Sequence, residues 1–193
     1  MLGFQDETWW SRFQPPMLFA WRAPDRPWRL VAQTPDKDDP DPKALACDGV
    51  VVDCPADPTW SAQVWLRLVD GRPVSGITTQ FLEWGCAKLA QLGNRVWVLI
   101  GDNAPWPISR EGRHWNRTHN CEVKRNGQGV RILSCCLPVK SPWLNRIEPY
   151  WIHAKRRVVE PERALTAQEL ADRICEYFGC SHEPHLSISK NVT

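Results

Sequence analysis

Residues 141–158, predicted to form a loop and then the beginning of a helix, carry side chains suited to metal-assisted chemistry on nucleic acid. The segment reads SPWLNRIEPYWIHAKRRV, with Asn145 three residues before Glu148 and the cations Lys155, Arg156 and Arg157 behind them. A carboxylate can bind a metal ion while nearby cations bind a phosphodiester backbone. The alternative is a capping box, with Asn145 as the N-cap and Glu148 satisfying only a backbone N–H.

Two aspartates upstream are candidate partners for Glu148. Asp6 follows a short apolar stretch, predicted to be a strand that ends there, and Asp102 follows the apolar run 95–101, predicted to be a buried strand. Open α/β sheets bind ligands at strand ends. The alternative is that Asp102 and Asn103 only form a turn after the strand, since both residue types are common in turns. Three converging carboxylates would hold two Mg²⁺ ions about 3.5 to 4 Å apart, one activating the attacking hydroxyl and one stabilising the leaving oxygen.

The elements that must position these carboxylates alternate between strands and helices. Apolar runs predict strands at 1–5, 17–21, 44–53, 63–69, 95–101 and 130–137. Helical spacing predicts helices at 78–92, 145–158 and 166–178, the last opened by a capping box of Thr166 and Glu169. The polar segment 109–124 suits a helix beside DNA and a solvated helix equally well.

Composition indicates one soluble globular domain. The chain has 193 residues, 42% hydrophobic and 24% charged. It has no apolar run of about 20 residues and no signal peptide, so we expect a cytoplasmic protein without a membrane span. Residues 1–60 carry six Lys/Arg against ten Asp/Glu, and residues 61–193 carry eighteen against twelve. The second part is the candidate polyanion-binding face, although such an excess also suits a solvated surface.

The cysteines point to a reduced protein with one candidate metal segment. No export signal precedes the eight cysteines, so we interpret them as thiols. Zinc favours the ligand types of the C-terminal segment, but the spacing matches no common zinc finger and four ligands there would be cramped. We therefore favour a metal-free segment over structural zinc at Cys175, Cys180, His182 and His185.

Three stretches together resemble a known family. They are GFQDE at 3–7, the apolar strand closed by Asp102 and Asn103, and LPVKSPWLNRIEPYW at 137–151. This combination resembles the mariner-type transposases of bacterial insertion sequences, within the DDE transposase and retroviral integrase superfamily. The resemblance covers nearly the whole chain, and its most specific part is the SPxLNxIExxW block.

The resemblance implies an α/β fold, an RNase H-like mixed sheet flanked by helices, over residues 1–180, with 181–193 as a C-terminal tail. It implies that Asp6, Asp102 and Glu148 are the catalytic residues and bind two Mg²⁺ or Mn²⁺ ions. The family cuts DNA at transposon ends with water and joins the released 3′-OH to a target. Expected DNA contacts come from basic and polar side chains near the third carboxylate, namely Lys140, Asn145, Lys155, Arg156 and Arg157.

The expected partners are DNA, at transposon ends and target, and a second transposase chain as homodimer or heterodimer. Family members carry N-terminal helix-turn-helix modules, and this sequence starts five residues before Asp6. Two rival hypotheses therefore remain. One is an inactive transposase remnant that only binds DNA or full-length transposase, and the other is a zinc-stabilised nucleic-acid-binding module built on the Cys/His tail.

Overall fold

The centre of the molecule is a mixed five-stranded sheet. A computed structural model describes residues 1–13, 33–34, 36–102, 109–160 and 163–188. The sheet order is β3-β2-β1-β4-β5, with β1–β2 and β2–β3 antiparallel and β1–β4 and β4–β5 parallel. The strands are β1 (Leu2–Ser11), β2 (Ala44–Asp53), β3 (Gln63–Val69), β4 (Val96–Gly101) and β5 (Arg131–Cys136).

Four described helices flank the sheet. They are α1 (Ser75–Gln91), α2 (Arg110–Asn126), α3 (Glu148–Val158) and α4 (Ala167–Phe178), with a 3₁₀ turn at Pro142–Leu144 before α3. The capping box predicted for α4 is confirmed, because Thr166 accepts from the Glu169 N–H and Glu169 accepts from the Thr166 N–H. None of the described helices has the length and apolar character that a membrane crossing requires.

Each face of the sheet packs against its own helices. The α1 face of the sheet buries Val50, Phe81, Leu89, Trp97 and Ile132. The α3–α4 face buries Phe4, Trp10, Trp151, Leu170 and Ile174. Strand β2 contributes apolar side chains to both clusters, which explains why its sequence is continuously apolar and not alternating.

The strands predicted at 44–53 and 63–69 are confirmed residue for residue, and the helix predicted at 78–92 begins three residues earlier, at Ser75. The prediction that the first strand ends at the carboxylate pair Asp6 and Glu7 is wrong. Strand β1 runs on to Ser11 because Asp6 to Ser11 pair with Gly49 to Ala44 of β2. The strand predicted at 17–21 lies outside the described residues.

The segment after α4 extends the β3 edge of the sheet. Leu186 pairs in parallel with Val69, and its backbone exchanges 2.8 Å hydrogen bonds with Leu68 and Asp70. All eight cysteines are free thiols.

Candidate functional site

Asp6 lies in the middle of β1 and faces α3. The indole Nε1 of Trp151 donates a 3.1 Å hydrogen bond to Oδ2 of Asp6. The residue opposite Asp6 on β2 is Gly49, where a Cβ would come within 2.5 Å of the Trp151 ring. A glycine at position 49 therefore lets the indole approach the sheet closely enough to contact Asp6.

Glu148 reaches the same region from the start of α3. It is the first helical residue, one turn before Trp151, so both side chains lie on the same side of the helix. Burial raises the pKa of Asp6 to about 7, and the charge of Glu148 is the next largest cause. A like charge raises a carboxyl pKa only when it is close, so Glu148 and Asp6 share one electrostatic environment.

Asp102 joins them through the strand register. Phe4 pairs with Ile100 in the parallel β1–β4 pair, and Asp6 and Asp102 each lie two residues further along. Asp102 is exposed, and its charge also raises the pKa of Asp6. The three carboxylates selected from the sequence therefore come from three elements that converge at one side of the sheet.

Asn145 is buried in the loop before α3 and is not the N-cap of that helix. Helix α3 begins at Glu148 with Ile147 as its N-cap and no side-chain cap, so the capping-box interpretation is wrong. Asn145 is only 2% exposed, and its Nδ2 donates a 3.1 Å hydrogen bond to the carbonyl of Gln5. The predicted DNA contact at Asn145 conflicts with this burial, because the side chain instead ties the loop before α3 to β1.

Solved structures of a mariner transposase share this architecture. The Mos1 transposase paired-end complex with left transposon end superposes with a TM-score of 0.62 at 16% identity, over 93% of this chain and 48% of that one. The Mos1 strand transfer complex gives 0.60 at 17%, over 93% and 47%. The Mos1 mariner paired end complex with Mn gives 0.59 at 18%, over 93% and 48%.

The fold is RNase H-like. The predicted fold class is thereby confirmed, and the chain spans about half the length of the solved chains that it matches. No protein-family model and no curated protein matches the sequence.

Within this RNase H-like fold the donor set suits a hard divalent cation. Carboxylate oxygens are the ligands that Mg²⁺ and Mn²⁺ prefer, and a cation would relieve the repulsion that raises the pKa of Asp6. Among the described residues, however, no three His, Cys, Asp or Glu side chains are close enough together to hold a metal ion. Asp6, Asp102 and Glu148 thus share an electrostatic environment without forming a closed coordination shell.

Exposed cations surround the Glu148 segment. Lys140, Lys155, Arg156 and Arg157 are exposed, and the Lys155 ammonium lies 5.8 Å from the centroid of the Trp10 ring. Helix α2, which lies between Asp102 and Glu148 in the sequence, exposes a second set of cations, comprising Arg110, Arg113, Arg117, Lys124 and Arg125. Both helices therefore present positive charge to solvent.

The Cys/His tail does not form the four-ligand zinc site considered from the sequence. The thiols of Cys175 and Cys180 hydrogen-bond each other, and this contact raises the pKa of Cys175 and lowers that of Cys180. His182 and His185 instead contact each other and two carboxylates.

Sequence reasoning missed one positioning residue, Trp151, and one buried carboxylate, Asp48. Trp151 belongs to the most specific motif, yet only the structure reveals its hydrogen bond to Asp6. Asp48 is fully buried in β2 and accepts a 2.7 Å hydrogen bond from Gln5. The signal for Asp48 was a carboxylate inside an apolar strand, ALACDGVVVD, which demands a buried partner.

Proposed function

We propose that this chain is the catalytic domain of a DDE transposase, which cleaves DNA and transfers strands with divalent metal ions. The observation that carries the proposal is the convergence of three elements at Asp6: Trp151 of α3 binds its carboxylate, the β1–β4 register brings Asp102 beside it, and burial followed by the charges of Glu148 and Asp102 raises its pKa. The likeness of the fold to Mos1 transposase complexes supports the same activity class.

Asp6, Asp102 and Glu148 would hold two Mg²⁺ or Mn²⁺ ions, which when bound supply an activated water and stabilise the leaving oxygen. Trp151 orients the Asp6 carboxylate through the Nε1 to Oδ2 hydrogen bond. Asn145 binds the backbone next to Asp6 and so fixes the start of α3, which carries Glu148, against β1. Two hydrogen bonds from one segment thus set the relative position of two of the carboxylates.

DNA is the proposed polyanionic partner, with transposon ends and target as its specific forms and a second transposase chain as a further partner. Lys140, Lys155, Arg156 and Arg157 are exposed on the segment that carries Glu148. Cations near the cleavage site would neutralise backbone phosphates. Each neutralised phosphate makes the affinity for DNA fall more steeply as the salt concentration rises. The binding face would therefore guide the phosphodiester toward the carboxylates.

The test is nicking of supercoiled plasmid DNA in Mn²⁺. We expect slow nicking by the wild-type chain and a loss of about 100-fold or more in Asp102→Asn, because a metal ligand contributes several kcal/mol to such a reaction. Asp57→Asn is the matched control, since Asp57 is an exposed loop aspartate whose carboxylate accepts hydrogen bonds from Thr59, its one side-chain partner among the described residues. Equal nicking by Asp102→Asn and wild type would refute the proposal.

A second candidate function is DNA binding without catalysis. The absence of an assembled three-ligand group among the described residues favours it. Calorimetric titration with Mn²⁺ separates the two functions. A catalytic domain shows Mn²⁺ binding that Asp6→Asn and Glu148→Gln each abolish. An inactive transposase remnant shows no Mn²⁺ binding but retains salt-sensitive DNA binding.

A further inference from the structure

A pair of histidines lies in the segment after α4, beside the β3 edge of the sheet. His182 and His185 follow α4, and their Nε2 atoms are 3.3 Å apart with the rings nearly parallel. The Nδ1 of His182 is 3.0 Å from Oδ1 of Asp172 on α4, and the Nδ1 of His185 is 2.7 Å from Oδ1 of Asp70 after β3. Each imidazole is therefore held between a carboxylate and the other imidazole.

The carboxylates decide which ring nitrogens carry protons. An ionised carboxylate only accepts hydrogen bonds, so each facing Nδ1 must be the N–H of its ring. The amide nitrogen of Gln168 is 3.2 Å from Nδ1 of His182, but its shorter bond, 2.9 Å, goes to Asp172. In neutral rings with these tautomers both Nε2 atoms are acceptors, 3.3 Å apart and with no donor hydrogen between them. A cation bound by both nitrogens would remove the repulsion between them.

The distance between the two lone-pair atoms matches a metal site. Zinc binds imidazole nitrogen at about 2.0 to 2.1 Å in tetrahedral geometry, which puts two nitrogen ligands about 3.3 Å apart. Histidines that bind metals usually donate their other N–H to a carboxylate, which fixes the tautomer and raises the basicity of the ligating nitrogen. The pair shows both features.

We propose that His182 and His185 bind one divalent transition-metal ion, with Zn²⁺ as the reference ion, through their Nε2 atoms. Asp172 and Asp70 are the carboxylates that orient the two ligands. The described residues supply no third His, Cys, Asp or Glu within reach, so water completes the coordination and the site is open. This proposal does not depend on the transposase function.

Binding there would fasten the C-terminal segment to the body of the protein. Asp172 belongs to α4, Asp70 follows β3, and Leu186 extends the sheet edge beside Val69. An ion held by the histidine pair would link all three elements, and the folded state would gain stability only while the ion is bound.

The experiment is calorimetric titration of chelator-treated full chain with Zn²⁺ in excess Mg²⁺, after alkylation of exposed thiols. Magnesium occupies carboxylate sites and leaves imidazole free. We expect one Zn²⁺ per chain, and a folded-to-unfolded ratio raised about 100-fold when Zn²⁺ is at about 100 times its Kd. His182→Ala and His185→Ala each lose the isotherm, and His153→Ala, which removes an exposed histidine of α3, leaves it unchanged.

Variants that spare both ligands keep the test valid if a histidine variant misfolds. Asp172→Asn and Asp70→Asn should each weaken Zn²⁺ binding about 10- to 100-fold, because each removes the carboxylate behind one ligand. Two outcomes would overturn the proposal. One is Zn²⁺ binding that is unchanged in both histidine variants, and the other is no Zn²⁺ binding by the wild-type chain.

Discussion

The two faces of β1 give adjacent carboxylates opposite surroundings. Asp6 faces α3 and accepts a hydrogen bond from Trp151, whereas Glu7 faces α1 and accepts one from Thr78 at 3.1 Å. Burial is the largest cause of a raised pKa in both residues. A shared direction of the pKa change therefore does not by itself identify the functional carboxylate.

The charge of Glu148 separates the two residues, because it raises the pKa of Asp6 and is not a cause for Glu7, whereas the charge of Asp102 raises the pKa of both. Asp6 is opposed by Glu148 on another element, where a divalent cation would remove the repulsion. Glu7 lies beside Asp48 in the strand register, and burial followed by the charge of Glu7 raises the pKa of Asp48 well above its usual range. On the α1 face burial favours the neutral form of Asp48, and a proton there would remove its repulsion with Glu7.

Both faces use glycine to seat a tryptophan against the sheet. On the α3–α4 face Trp151 lies over Gly49, and on the α1 face Trp97 lies over Gly3 and Gly85, where a Cβ at Gly85 would be 2.7 Å from the ring. Trp97 only fills the core, whereas Trp151 also contacts Asp6. Close packing of a tryptophan over glycine thus stabilises the core on the α1 face, and on the α3–α4 face it also positions a side chain of the candidate site.

The largest expected effect distinguishes the two adjacent carboxylates in catalysis. Asp6→Asn should lower plasmid nicking in Mn²⁺ about 100-fold or more without loss of stability, because it replaces a partly buried carboxylate by a neutral amide of the same shape. Glu7→Gln should keep most of the activity. Similar losses in both variants would contradict the assignment of separate roles to the two faces.

A smaller effect is expected at the two glycines. Gly3→Ala and Gly49→Ala should each lower the unfolding free energy by about 1 to 3 kcal/mol, because the added methyl overpacks a tryptophan. Only Gly49→Ala should also reduce nicking, since Trp151 must move away from Asp6. Urea unfolding and nicking assays at low denaturant measure both properties. Equal nicking by the two variants would show that the Trp151 contact is not needed.

The smallest effect concerns the pH dependence of stability. The pKa of Asp48 is higher in the folded state than the usual value of about 4, so its neutral form stabilises the protein below that pH. This contribution is lost as pH rises through the folded-state pKa. Asp48→Asn, which cannot titrate, should make the decline above about pH 4 shallower in urea unfolding. A slope identical to wild type would mean that Asp48 is charged when buried.

Much of the architecture could be predicted from local sequence patterns. The apolar run 44–53 and the segment 63–69 define β2 and β3 to the residue, and the capping box of Thr166 and Glu169 defines the start of α4. A continuous apolar run, an alternating apolar pattern and a capping box are each recognised from residues that lie close together in the sequence. The extent of β1 was missed because Asp6 and Glu7 disfavour a strand locally, and only pairing with β2 keeps them in one.

The amino-acid sequence alone determined which elements form and which carboxylates are candidates, because both follow from residue type and short-range spacing. Tertiary structure alone decided that Asp6 and Glu7 point to different helices, that Asn145 is buried, and that His182 meets His185. The physical reason is that side chains alternate along a strand, so the role of each depends on which helix covers its face. No local pattern specifies that packing.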